Sequence, residues 1–153
     1  MADITPADFA VNEADGWSAL LINQTGTAVV NTTGEWCDLT GGYTPEWIAV
    51  RYTEVDGTGM TAAAITLQAK AGGLSTAFKI GADNLDPIAY AFTTTNEHRL
   101  IPLSWDNAST ASVVLPLTGI DAIRASTAIT GTAKAGDTLQ IVVGGRRSYR
   151  RYP

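Results

Sequence analysis

The stretch Thr61-Ala62-Ala63-Ala64-Ile65-Thr66-Leu67-Gln68-Ala69-Lys70 decides the fold class of this chain. Its alanines suit a helix, the conformation that alanine favours above all others. Thr61, Ile65 and Thr66, with the Ala71-Gly72-Gly73 stop behind them, suit a strand with small outward residues at least as well. The segments around it tilt the balance toward strand, because no window of the chain sustains a helical period over three turns.

Working outward, short apolar or alternating runs recur between clusters of Gly, Asn, Asp and Pro. Upstream, Trp17 to Asn23 and Thr27 to Asn31 flank Gln24-Thr25-Gly26 and read as a hairpin. Trp47 to Thr53 alternates after the turn Gly41-Gly42-Tyr43-Thr44-Pro45 and runs into a loop at Asp56-Gly57-Thr58-Gly59. Downstream come Ser75 to Ile80, Ile88 to Thr93, His98 to Leu103, Ser112 to Leu117 and Ile120 to Ser126. Pro116 marks its run as an edge or a bulge, since proline donates no ladder hydrogen bond. Asp137 to Val143 places Leu139, Ile141 and Val143 on one face with a period of two. The expected fold is all-β: a single-domain β-sandwich, jelly-roll-like, of roughly eight to ten strands with extended N- and C-terminal segments.

Composition agrees. The chain has 153 residues, of which 21 are Thr and 15 are Gly, and only 16% are charged, so neutral polar groups build its surface. Thr is stiff at χ1 and suits a pleated, half-exposed face. This length supports one core and not two, so the expected division is a β-sandwich domain with an N-terminal arm over 1–145 and a basic tail over 146–153. No segment approaches the roughly 18 to 20 apolar residues of a membrane span, and the acidic start Met1-Ala2-Asp3 lacks the order of a signal peptide. Synthesis without export and no membrane partner are the expectations. The single Cys37 excludes an internal disulfide, and the Asn-x-Ser/Thr triplets at Asn23, Asn31 and Asn107 are discounted as glycosylation sites.

The chemistry of catalysis is thinly supplied. His98 is the one histidine, and its sequence neighbours on a strand point away from it, so local sequence builds no dyad; Cys37 could meet it only through the fold. One Cys and one His cannot make a zinc site. Asp83, Asn84 and Asp86, or Asp56, could offer oxygens to calcium but match no calcium loop. Gly41-Gly42 and Gly72-Gly73 lack the spacing of a phosphate loop. The expectation is no enzyme and no cofactor. Trp17, Trp36, Trp47 and Trp105 read as core or interface anchors, with a sugar platform as the competing use, placed at Tyr43 with Trp47 or at Trp105-Asp106-Asn107.

Charge is unevenly distributed. Residues 1–145 hold six Lys or Arg against fifteen Asp or Glu, whereas the last eight residues hold four arginines and no acid. Arg146, Arg147, Tyr149, Arg150, Arg151 and Tyr152 therefore form the candidate protein-interaction site, a set of planar cationic forks and rigid rings suited to an acidic surface. Gly144-Gly145 is read as the freedom that lets this tail leave its sheet. Nine acids against one base, Arg51, in residues 1–56 make a neighbouring copy a complementary partner. Nucleic acid is not expected, since the acidic body repels phosphate.

Within residues 112–145, the run Ile120-Asp121-Ala122-Ile123-Arg124-Ala125 continues through Thr130-Gly131-Thr132-Ala133-Lys134-Ala135-Gly136-Asp137-Thr138-Leu139-Gln140-Ile141. In an acidic, Thr- and Gly-rich β-chain without catalytic residues, it resembles the auxiliary virion proteins of tailed bacteriophages, especially capsid decoration or cement proteins. The resemblance implies a jelly-roll or related sandwich, made in the host cytoplasm and seated on the capsid exterior. It implies a homo-oligomer, a trimer before others, that binds the major capsid protein or another virion protein. The basic end leaves a place in the head-to-tail connection or tail as the alternative, beside a carbohydrate-binding β-sandwich module.

Overall fold

A computed structural model describes residues 3–11, 14–55, 59–75, 78–80, 90–92, 96–103, 105–106, 114–115 and 119–147. The strands along them are β1 (Ala7–Val11), β2 (Ala14–Thr25), β3 (Thr32–Thr33), β4 (Cys37–Asp38), β5 (Tyr43–Thr53), β6 (Met60–Ala71), β7 (Phe78–Ile80), β8 (Tyr90–Phe92), β9 (Asn96–Pro102), β10 (Trp105–Asp106), β11 (Val114–Leu115), β12 (Ile120–Gly131) and β13 (Thr138–Arg147). Among the described residues the protein is all-β, with two larger antiparallel sheets, one two-stranded pair and no barrel. One sheet has the order β1-β2-β13-β5-β9; the other runs β3-β12-β6-β7, with β4 also on β12 and β8 also on β6, and β10 pairs with β11.

The stretch that opened the reading is strand β6. Met60, Ala63, Ile65, Leu67 and Ala69 are buried, and Thr61, Ala62, Ala64, Thr66 and Gln68 are not. Eleven register pairs to β12 hold it, from Ile120 opposite Ala71 to Gly131 opposite Met60. Alanine's helical preference is overridden by this pairing and by burial of one face. Inward residues of both sheets, including Trp17, Ile48, Val50 and Leu139 from one and Ile65, Leu67 and Ile123 from the other, join in one hydrophobic core. In β2 a register shift opposite Ile141 and Val142 lets the consecutive Leu21 and Ile22 both be buried.

Several expectations are corrected. No hairpin joins Trp17–Asn23 to Thr27–Asn31: β2 pairs with β13 along Gly16–Thr25 and with β1 over Ala14–Ser18. Gly26, at φ +63°, instead opens a 3-10 turn over Gly26–Ala28, and the chain crosses to pair Thr32–Thr33 with β12. Among the described residues the strands number thirteen rather than eight to ten, the excess being two- and three-residue pieces. The N-terminal arm is built into both sheets: Ile4 bridges Cys37 in parallel, and β1 pairs with β2. At the other end β13 extends through Arg147, two residues beyond the expected boundary at 145. Asp56, residues 81–89 with the calcium candidates Asp83, Asn84 and Asp86, Asn107, and residues 148–153 lie outside the described residues.

Candidate protein-interaction site

Two features of the five-stranded sheet bear on binding: the end of β13, and the sheet's solvent face. At the end of β13, Trp17 on the adjacent β2 is fully buried, and its Nε1–H donates to the carbonyl oxygens of Thr44 at 3.2 Å and Arg146 at 3.1 Å. One indole thus ties β13 to both neighbours. Tyr43 meets this ring edge to face at 5.4 Å, and the Arg147 guanidinium lies over Tyr43 at 4.6 Å. Arg147 Nη1 donates to Asp8 Oδ2 at 2.6 Å, and its Nε to the Gly41 oxygen at 3.3 Å. Arg146 Nε donates to Glu46 Oε1 at 2.8 Å, which raises the arginine's pKa further above its ordinary value.

The structure therefore divides the expected interaction set. Arg146 and Arg147 engage their own subunit, while Tyr149, Arg150, Arg151 and Tyr152 lie outside the described residues. The reading of Gly144-Gly145 as a release point is corrected too. Both glycines are buried inside β13, where a Cβ on Gly144 collides with the Trp47 ring and one on Gly145 with the Thr44 carbonyl. They are glycines because neighbours press on them.

The solvent face of the same sheet follows from strand register. Val142 opposes Leu20 on β2 and Ala49 on β5, and Ala49 opposes Leu100 on β9, so four strands contribute one apolar row. Leu20 is 44% and Leu100 66% exposed, and a depression of about 400 Å³ lies beside Leu100, lined also by Ala49, Val142 and Arg51. Trp47, half-buried, and Pro102, exposed, continue the apolar surface in the next row. On the other flank Gln140, Arg51 and His98 align, and Arg51 has no ion-pair partner among the described residues. Periodicity showed which residues of each strand face out, but the row itself depends on register between strands far apart in sequence.

The remaining candidates disperse. Cys37 is buried in β4, and burial, with Asp38 and Asp3 nearby, pushes its thiol up to about 12. His98 lies exposed on β9 of the other sheet, so the two form no dyad. Among the described residues no three His, Cys, Asp or Glu side chains gather as a metal cluster, and no helix is long and apolar enough to cross a membrane. Trp17 is closed to any sugar, and Lys70 and Arg124 both cover Trp36. Searches against family models, curated proteins and solved structures find no match to this chain.

Proposed function

We propose that this chain is a non-enzymatic structural protein that docks on a protein lattice, as a decoration or cement protein on the capsid exterior of a tailed bacteriophage. The observation that carries this reading is the apolar row Leu20, Val142, Ala49 and Leu100 across the solvent face of the five-stranded sheet. Exposed apolar surface continuous over four strands and rimmed by polar residues marks an interaction site, and Trp47 and Arg51 at its border are of the types that anchor interfaces. The occupant is a lattice subunit with an apolar patch and an acidic rim, since Arg51 and His98 border the row and Arg51 lacks a counter-charge among the described residues. The Thr- and Gly-rich style of residues 112–145 supports the virion assignment, with a jelly-roll connectivity and a trimeric state as its finer parts.

The test is co-sedimentation of the purified chain with undecorated phage capsid shells, with light scattering to count its copies. Leu100→Asp and Leu20→Asp place a charge in the row without touching the core, so both should stay folded and bind at least about tenfold more weakly. Native-like binding by both folded variants overturns the docking face.

A further inference from the structure

A separate cluster lies on the six-stranded sheet, independent of the docking face above. Cys37 of β4 points into the core, so the preceding Trp36 is turned to the opposite, solvent side of that sheet. Two cations converge on its indole. The Arg124 Cζ stands 4.3 Å and the Lys70 Nζ 4.4 Å from the ring centroid. Register brings them there: Arg124 on β12 opposes Gln68 on β6, and Lys70 opposes Ala122. Arg124 Nε also donates to Gln68 Oε1 at 2.7 Å, which fixes the plane of the guanidinium.

Among the described residues neither cation has an acidic partner: neither Arg124 nor Lys70 forms an ion pair, and the terminal nitrogens of Arg124 and the ammonium of Lys70 have no hydrogen bond. Sharing one ring puts the two charges no more than about 9 Å apart, so an anion between them lies within a Debye length of both and is attracted by both. Each cation–π contact at a solvent-facing ring is weak and leaves that charge unanswered.

We infer that Trp36, Arg124 and Lys70 form a carboxylate-binding site. A guanidinium laid on an indole and pinned through Nε presents its terminal N–H groups as a preset fork, the geometry that a carboxylate fills with two parallel bonds. Lys70 adds a mobile third donor. A carboxylate is preferred to a phosphate because the surroundings are acidic: Glu35 precedes Trp36, Asp121 lies on β12, and Asp38 opposes Ala122 on its other flank. With the chain at net -5, a doubly charged phosphate meets about twice the repulsion felt by a carboxylate.

The test uses the full chain labelled with ¹⁵N, its Trp36 indole signal assigned through Trp36→Phe. Sodium acetate, a blocked aspartate-containing tripeptide and sodium phosphate are titrated at constant ionic strength. The Trp36 Nε1–H and Arg124 Nε–H signals should move and saturate with acetate. Arg124→Lys, which keeps charge and loses the fork, should raise the midpoint about tenfold. Lys70→Gln should raise it by a smaller factor; it disturbs no hydrogen bond, so it serves even if the arginine variant fails to fold. Tighter binding of the tripeptide than of acetate supports the site with a protein segment as its source, and equal affinity supports it with a free organic acid. Linear shifts without saturation, equal midpoints in native chain and variants, or phosphate binding tighter than acetate each overturn the assignment.

Discussion

Asp137 has no exposed surface, yet it is held as an acceptor and not as a stranded charge. Its Oδ1 accepts the Val55 N–H at 3.1 Å, its Oδ2 the Lys134 N–H at 2.8 Å, and its carbonyl the Gly26 N–H at 2.7 Å. One side chain thus closes the turn before β13 and the end of β5. Asp137→Ala strands two backbone donors and should cost about 2–4 kcal/mol in a urea titration, whereas Asp137→Asn, which keeps one acceptor, should cost less. Cys37 carries a second expectation, with a sign set by its raised pKa. Burial favours the neutral thiol, from an ordinary 9.0 to about 12, so its contribution is complete below about pH 9 and is lost as pH climbs toward 12. Stability should fall there by up to about 1.4 kcal/mol per pH unit from this thiol alone. Cys37→Ala should flatten that slope, leaving the part due to Tyr52, whose hydroxyl is raised by burial and by Glu54 and Asp137. An unchanged slope means that the thiolate already forms freely in the fold.

Among elements, β13 is the most constrained, and Gly144 shows how. Trp47 lies where a side chain on Gly144 belongs, so Gly144→Ala should push the ring off the sheet and destabilise by about 1–3 kcal/mol, read from the thermal midpoint. A shifted Trp47 fluorescence maximum in the folded variant checks the cause. How legible such elements are depends on the range of the forces that make them. The period-two runs of β5 and β13 were readable because each buries alternate residues, a property of the strand itself, whereas the alanines of β6 left helix and strand both open until its pairing with β12 decided. Thr27–Asn31 had the composition of a strand and is none, because the turn at Gly26–Ala28 carries the chain away from β2 toward β12. Strands of two residues, such as Thr32–Thr33, carry no pattern of their own and exist through β12. The candidate site divides in the same way. Four arginines at one end were visible, but the contact of Arg147 with Asp8 spans 139 residues of sequence. Trp36, Lys70 and Arg124 meet only once β6 and β12 are in register, so no local reading joins them.

For the whole molecule, internal ties at Arg146 and Arg147 move the boundary of any detachable tail to Ser148. Removing 148–153 should leave the thermal midpoint within about 2 °C of native, while removing 146–153 also deletes two ion pairs and the end of β13 and should lower it visibly. If the shorter deletion also weakens shell binding, the tail contributes to docking; unchanged binding assigns docking to the sheet face alone. The strand order of that sheet has a further consequence in time. β13 lies between β2 and β5, the link from Gln140 to Asn23 alone spanning 117 residues, so most of the sheet's partners are synthesised long before the strand that joins them. Until β13 is made, β2 and β5 each keep unfilled the edge that it pairs with, and loop closure over such distances is slow. Nascent chains halted before Thr138 should therefore be open to proteases and to pairing with one another. The six-stranded sheet, whose β6 and β12 are already made by Gly131, can form first and wait for β13 to arrive.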